Sequence, residues 1–115
     1  MNFLAATVAG PGRVACPGLA GEVTTGAALP GAGAGVILGL RPQALSLAPG
    51  ETHRVDVTEA LGGQSFIHLT APTGEKIVLE SREDPRIRPG DRVGLGFDAG
   101  AALFFAGDAE GRRLR

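Results

Sequence analysis

Apolar and polar residues alternate with a period of two in several short stretches of this chain. Between residues 52 and 59, Val55 and Val57 alternate with charged or hydroxyl-bearing side chains. Residues 64–69 and 92–97 show the same alternation, and residues 76–80 contain a short apolar run. No stretch keeps the helical period of 3.6 beyond a turn or two. Because successive side chains of a strand point to opposite faces of a sheet, the pattern predicts β-strands.

Glycine and proline separate these stretches from one another. The chain has 19 glycines and 8 prolines, spread along its length. Turn-forming pairs stand at Pro11-Gly12, Pro17-Gly18, Pro30-Gly31, Pro49-Gly50, Gly62-Gly63 and Pro89-Gly90. Short strands at intervals of about 10–15 residues, separated by such turns, are typical of small barrels and sandwiches. We predict an all-β fold of short antiparallel strands with OB-like character.

The glycine-alanine run from Gly31 to Gly35 predicts a flexible connection that leads into the apolar strand 35–40. A weaker group of strands precedes this connection, and a clearer group follows residue 46. We therefore divide the chain into a first OB-like subdomain at residues 1–45, which includes the connecting strand, and a second at residues 46–115. A length of 115 residues suits one small unit built from both.

The composition restricts the environment and the partners of the protein. Cys16 is the only cysteine, so no internal disulfide forms, and no apolar run approaches the length that spans a bilayer. The N-terminal residues lack the basic and apolar segments of a signal peptide. These features predict a soluble cytoplasmic protein. A net charge of −1 and only five aromatic residues, all Phe, argue against a nucleic-acid surface, which needs a basic groove and exposed rings.

One glycine-rich segment resembles a nucleotide-binding loop only superficially. Leu61-Gly62-Gly63-Gln64-Ser65 is similar to the signature loop of ABC ATPases, but the residues that follow it have the pattern of a strand. A phosphate at such a loop needs the N-terminus of a helix, so we predict a tight hairpin turn instead. A P-loop is excluded because Lys76, the only lysine, lies between Glu75 and Ile77.

No catalytic, cofactor-binding or metal-binding residue is predicted. His53, His68 and Cys16 lack the spacing of metal ligands. The carboxylates Glu80, Glu83 and Asp84 alternate with arginines, which predicts a solvated loop whose charges compensate one another. The basic C-terminal residues Arg112, Arg113 and Arg115 are too few to form a binding groove.

Four segments in order point to a known family. They are Met1-Asn2-Phe3-Leu4, the segment Val36–Pro42 with Gln43 after it, Val57–Gly63, and residues 88–114. Together they resemble the C-terminal regulatory region, a TOBE or OB-like domain, of the ATP-binding subunits of maltose- and glycerol-3-phosphate-type ABC importers. Gln43 departs from the family, in which an acidic residue usually follows Arg-Pro, and Phe104-Phe105 replaces a common His-Leu-Phe.

The resemblance implies a regulatory and dimerisation domain without catalysis of its own. ATP and Mg would then be bound only in the nucleotide-binding domain, which these residues do not contain, and Met1 would be an internal methionine. The candidates for shaping the contact between two subunits are Arg41, Pro42, Glu59, Leu61 and Gly62. The structural alternative is that Pro42 and Gly62 only fix turns and that Leu61 is a core residue.

The implied partners are a second copy, the nucleotide-binding domain, the transmembrane permease subunits and, in some members, an inhibitory regulatory protein. The resemblance thus implies a location at the cytoplasmic side of the inner membrane, as part of a transporter complex. The alternative function is a free-standing OB-like module that binds a small oxyanion such as molybdate through backbone amides and hydroxyl groups between subunits. The small number of such donors near the predicted turns disfavours it.

Overall fold

The computed structural model describes residues 1–82, 86–107 and 111–114. Within these ranges the chain forms ten strands and three short 3-10 turns. The strands are β1 (Asn2–Gly10), β2 (Arg13–Cys16), β3 (Gly21–Thr24), β4 (Gly35–Leu40), β5 (Leu45–Ala60), β6 (Ser65–Thr70), β7 (Lys76–Ser81), β8 (Arg92–Phe97), β9 (Leu103–Ala106) and β10 (Arg113–Leu114). The 3-10 turns are Pro17–Leu19, Pro42–Ala44 and Ala99–Ala101.

The strands assemble into two antiparallel sheets. The first has six strands in the order β10-β9-β4-β1-β2-β3, and the second has four in the order β7-β6-β5-β8. The prediction of an all-β, OB-like fold of antiparallel strands is therefore confirmed. No helix in the described ranges is long and apolar enough to span a membrane.

Strict alternation in β1 shows how the sequence builds the first sheet. Its odd-numbered side chains are exposed, whereas Asn2, Leu4, Ala6 and Val8 point inward and are buried. These inward residues join a core that both sheets share. The buried apolar residues of that core are Leu4, Ala6, Val8, Val14, Cys16, Leu19, Val23, Val36, Leu38, Leu40, Leu45, Val55, Ile67, Leu69, Ala71, Ile77, Leu79 and Phe104.

A buried histidine ties the two sheets together at one end of the core. His53 of β5 is completely buried, and its Nε2 lies 2.8 Å from the carbonyl oxygen of Gly18. A carbonyl oxygen only accepts, so Nε2 carries the proton. Nδ1 lies 2.8 Å from the Thr52 hydroxyl oxygen, within hydrogen-bond distance. Both ring nitrogens are thus satisfied, which explains how the core holds a polar side chain.

Two β-bulges in β5 change what the alternation predicted. Pro49-Gly50 is not a turn between strands but part of a bulge between Ala48 and His53. A side chain at Gly94 would collide with the Pro49 carbonyl oxygen there, so a glycine is required at that position. The second bulge lies between Val55 and Val57. An extra residue in a strand shifts the facing of all later residues, so Val55 is buried and Val57 is 49% exposed.

The two sheets do not coincide with two consecutive segments of the chain. β1 to β4 end before residue 45 and β5 to β8 follow from residue 45 onward, but β9 returns to the first sheet and pairs with β4. β10 then pairs with β9. The division into subdomains at residues 1–45 and 46–115 stays a prediction, and the first sheet contains strands from both segments.

Candidate functional site

The hairpin formed by β5 and β6 presents an exposed tip. All side chains from Val57 to Gln64 are exposed. The amide of Leu61 donates to the carbonyl oxygen of Gln64 over 2.8 Å, and the two residues between them are Gly62, with φ of +57°, and Gly63, with φ of +94°. Positive φ at both central positions is the geometry of a two-residue hairpin turn, which favours glycine. The prediction of a hairpin turn, and not a nucleotide-binding loop, is confirmed.

Three of the five interface candidates lie on this tip. Leu61 is 56% exposed, so the alternative that it is a core residue is wrong. Gly62 does fix the turn, as its φ shows, and it stays accessible. Glu59 is exposed and its Oε1 lies 2.6 Å from Nε2 of His68 on β6. The tip therefore offers an apolar side chain, a carboxylate and an imidazole next to a hydrogen-bonded turn.

Arg41 and Pro42 lie elsewhere, on the connection from β4 to β5. Pro42 begins the 3-10 turn Pro42–Ala44, which packs against β7, so the turn-forming role of this proline is also real. Arg41 is exposed, and its side chain makes no hydrogen bond or ion pair with any described residue. The structure thus separates the five candidates into two groups on different elements.

A polar cluster covers the outer face of the second sheet next to the hairpin. Oδ2 of Asp56 accepts a 2.5 Å hydrogen bond from the Thr70 hydroxyl, and Oδ1 lies 3.1 Å from Nε of Arg54. Nζ of Lys76 donates to the Thr70 oxygen over 2.7 Å and lies 3.5 Å from Asp56. The Thr70 hydrogen bond, followed by the charges of Arg54 and Lys76, lowers the pKa of the Asp56 carboxyl. A carboxylate with a lowered pKa and with hydrogen bonds to both oxygens favours the charged form. It therefore suits a surface contact and not proton transfer.

The described residues contain no cluster that could hold a metal ion. Cys16 is buried, and burial, the largest effect, raises the pKa of its thiol, so it is a poor nucleophile. His68 is part of the hairpin surface, and His53 is part of the core. Of the carboxylates in the predicted solvated loop, Glu80 lies in β7 opposite Phe66, so the loop prediction is wrong at this residue. Glu83 and Asp84 lie outside the described residues, as does Arg115.

The sequence interpretation missed a second exposed surface. Phe3 of β1 is 59% exposed, and its ring meets that of Phe105 edge to face, with 5.9 Å between the ring centroids. The signal was present in β1, β4 and β9, which carry apolar residues at both odd and even positions. Strands that are covered on both faces have this pattern.

The sequence of this chain is similar to a known domain family and to known proteins. A family model described as a TOBE domain matches residues 38–105. The chain is 35% identical over 133 residues to the lactose transport ATP-binding protein LacK of Rhizobium radiobacter, covering 100% of the chain and 34% of that relative. It is 39% identical over 88 residues to the sn-glycerol-3-phosphate import ATP-binding protein UgpC of Cereibacter sphaeroides, covering 72% of the chain and 25% of that relative. The chain spans about a third or less of the length of these relatives.

Proposed function

Because this chain belongs to the TOBE-domain family and corresponds to the C-terminal domain of ATP-binding subunits of sugar and glycerol-3-phosphate ABC importers, we propose that it pairs two such subunits without catalysis of its own. The family resemblance inferred from the sequence is thereby confirmed. These 115 residues contain no P-loop, so ATP and Mg would be bound only in a separate ATP-binding domain.

The observation that carries this proposal is the exposed, hydrogen-bonded tip of the β5–β6 hairpin. Leu61 is the first residue of a turn that its own amide closes, and its side chain lies outside the core. A backbone that is already hydrogen-bonded loses less conformational entropy when a partner covers the turn than a disordered loop would. Apolar anchors of this kind contribute strongly to protein interfaces when a pocket of the partner surrounds them.

The separation of the candidates into two groups fits a two-fold contact. In such a contact each surface patch meets the matching patch of the other copy, so residue i contacts residue j and j contacts i. The Arg41 guanidinium, which makes no side-chain hydrogen bond within the described chain, can then meet Glu59 of the other copy, and the reverse pair forms as well. Opposite charges arranged in this way favour one register of association over others.

Sedimentation velocity of the 115-residue chain over a range of concentrations tests the proposal. We expect the chain to dimerise and Leu61→Ser to weaken the dimer by about tenfold, which corresponds to ~1.4 kcal/mol. Arg41→Ala should weaken it less and should make the dimer less dependent on salt. The matched control is Phe3→Ser, because Phe3 is 59% exposed but lies on the other sheet.

The dimer of the Phe3→Ser variant should match that of the unchanged chain. If the chain stays monomeric at every concentration, or if Leu61→Ser and Arg41→Ala both dimerise as the unchanged chain does, pairing through this surface is wrong. Circular dichroism of each variant shows whether it is folded, which separates a lost contact from a lost fold.

The further partners follow from the same proposal. The relatives are named as ATP-binding proteins of lactose transport and of sn-glycerol-3-phosphate import, so the permease subunits of a carbohydrate-type importer are the proposed membrane partners. The chain would then lie at the cytoplasmic side of the inner membrane. An inhibitory regulatory protein is a further proposed partner, and the polar face around Asp56 and Lys76 is the charged surface available to it.

A further inference from the structure

A row of cationic side chains crosses the outer face of the second sheet. Arg92 of β8 lies opposite Arg54 of β5. Arg54 in turn lies opposite Thr70 of β6, which lies opposite Lys76 of β7. The three cations are exposed, whereas Val55, next to Arg54, points into the core. Because directly opposite residues of paired strands project to the same face, three of the four strands contribute positive charge to this row.

The two arginines face each other at a closely spaced position of the ladder. The Val55 amide donates to the Asp91 carbonyl oxygen over 2.8 Å, and the Val55 carbonyl oxygen accepts from the Gly90 amide over 2.7 Å. Hydrogen-bonded positions alternate along an antiparallel pair, so Arg54 and Arg92 form the non-hydrogen-bonded pair, with Cα atoms about 4.5 Å apart. Like charges directly opposite one another destabilise a sheet. This pair therefore costs stability unless an anion lies between the two side chains.

Carboxylates compensate only part of this charge. Oδ1 of Asp56 lies 3.1 Å from Nε of Arg54, and its Oδ2 lies 3.5 Å from Nζ of Lys76. The Arg92 side chain makes no hydrogen bond or ion pair with any residue in the described ranges. One carboxylate thus serves two of the cations, and the described part of the chain supplies none for Arg92.

The contacts of Arg54 leave part of its guanidinium available. Nε is used by Asp56, and Nη2 lies 3.5 Å from the Thr70 hydroxyl oxygen. Nη1 has no acceptor among the described residues. Asp91, the carboxylate next to Arg92 in sequence, already accepts from the Arg88 amide through Oδ2 over 2.9 Å. Asp56 therefore orients the Arg54 guanidinium from one side, and the other side can receive a further acceptor.

The arrangement fits a phosphate group better than a carboxylate. A guanidinium binds two oxygens of an anion through two parallel hydrogen bonds. A carboxylate has two oxygens and one charge, so a single arginine satisfies it. A phosphate monoester has three acceptor oxygens and a charge of about −1.5 to −2 at pH 7. It can therefore accept from Arg54 and Arg92 together and remove the repulsion between them.

We propose that Arg54 and Arg92 form a binding site for a phosphate group, either the free ion or a phosphate monoester, and that Lys76 adds positive charge beside it. This phosphate site lies on β5, β7 and β8 and includes neither the hairpin tip nor Arg41. It goes beyond the proposed function, because a single copy of the chain contains the whole site.

Thermal unfolding of the 115-residue chain at neutral pH and constant ionic strength tests the assignment. Inorganic phosphate, methyl phosphate and acetate replace chloride in separate titrations. A ligand that binds only the folded state raises the unfolding midpoint as its concentration rises. We expect phosphate to raise the midpoint more than acetate does, with a response that depends on both arginines.

Variants of the arginines separate binding from a general effect of phosphate. Phosphate stabilises proteins by exclusion from their surface, and that part of the response remains in every variant. Arg92→Gln should raise the midpoint in chloride, because the repulsion with Arg54 is lost, and it should weaken phosphate binding by about tenfold. Arg92→Lys should lie between the two, because it keeps the charge but loses the fork. Arg13→Gln is the matched control, since Arg13 is an exposed arginine on the first sheet, paired with Glu22.

Nuclear magnetic resonance of the arginine side chains locates the bound anion. The Nε–H signals of Arg54 and Arg92 should shift saturably with phosphate, and that of Arg13 should not. A response to inorganic phosphate alone identifies the free ion as the ligand, and an equal or stronger response to methyl phosphate identifies a monoester. Both results support the site.

Three results would contradict the phosphate site. They are an equal midpoint response of the unchanged chain and Arg92→Gln, an acetate response as large as that to phosphate, and unshifted signals of Arg54 and Arg92. None of these measurements requires a dimer. A monomeric chain that binds phosphate would therefore refute the proposed pairing alone, and a dimer that does not bind it would refute the phosphate site alone.

Discussion

The side chain of Asn2 pairs with the backbone of Val78 as a neighbouring strand would. Oδ1 of Asn2 accepts from the Val78 amide over 2.7 Å, and Nδ2 donates to the Val78 carbonyl oxygen over 2.9 Å. Nδ2 also donates to the carbonyl oxygen of Leu40 over 3.1 Å. Because β7 is the edge strand of the second sheet, Asn2 occupies part of an open edge and joins the sheets through it.

Replacing Asn2 should therefore destabilise the whole domain. Asn2→Ala removes three hydrogen bonds of a side chain that is only 6% exposed, and we expect a loss of about 2–4 kcal/mol in the free energy of unfolding. Asn2→Asp keeps the shape of the side chain but loses the Nδ2 donor. This variant should be less stable at neutral pH, and it should regain part of the lost stability when its carboxylic acid is protonated. Urea unfolding measures both, with Thr7→Ala on the exposed face of β1 as the control. A change within about 0.5 kcal/mol for Asn2→Ala would contradict a stabilising role of the Asn2 hydrogen bonds.

His53 should be a second position on which the junction of the sheets depends. His53→Leu keeps an apolar side chain of similar reach but leaves the carbonyl oxygen of Gly18 without its donor. We expect a loss of about 1–3 kcal/mol, measured as a lower urea midpoint at constant slope. His68→Leu is the matched control, because the His68 side chain is 38% exposed and bonded to Glu59 on the surface. Equal midpoints for the two variants would show that the buried hydrogen bonds contribute nothing.

The Asp56 carboxylate should make stability depend on pH in the acidic range. Its pKa is lowered in the folded state, chiefly by the Thr70 hydrogen bond, relative to about 3.9 in an unfolded chain. Such a group stabilises the fold above its unfolded pKa, and the contribution is lost as pH falls through the folded value. Asp56→Asn should therefore be less stable than the unchanged chain at pH 6, with a difference that shrinks below about pH 4. Thermal unfolding from pH 6 to pH 2 measures this, with Glu51→Gln as control, and a constant difference would contradict it.

The hairpin turn should require glycine at Gly63. Its φ of +94° is unfavourable for any residue with a side chain, so Gly63→Ala should lower the free energy of unfolding by about 1–2 kcal/mol. Because the turn would relax and move Leu61, the dimer should weaken as well. Gly31→Ala is the control, since a β-carbon at Gly31 meets nothing within 4 Å. A Gly63→Ala variant with unchanged stability and an unchanged dimer would show that the turn geometry is not needed.

The sequence alone predicted those features that depend on local pattern. The alternation in β6 and β8 and the turn at Gly62-Gly63 follow from short-range rules, so they were found. The exposure of Val57 could not be predicted, because a bulge moves one residue without a sequence signal of its own. The role of Asn2 depends on Val78, 76 positions later, and no local pattern indicates such a partner. The exposed surface around Phe3 could have been found from the apolar residues at both parities of β1, β4 and β9.

Whether this chain holds two importer ATP-binding subunits together is tested most directly by the oligomeric state of whole subunits without ATP. Sedimentation velocity would compare a chimera, in which this chain replaces the matching region of the Rhizobium radiobacter LacK protein, with LacK lacking that region. We predict that the chimera is a dimer, that the shortened protein is a monomer, and that Leu61→Ser moves the chimera toward monomer. A chimera that is monomeric, or a shortened protein that dimerises equally well, would contradict the claim.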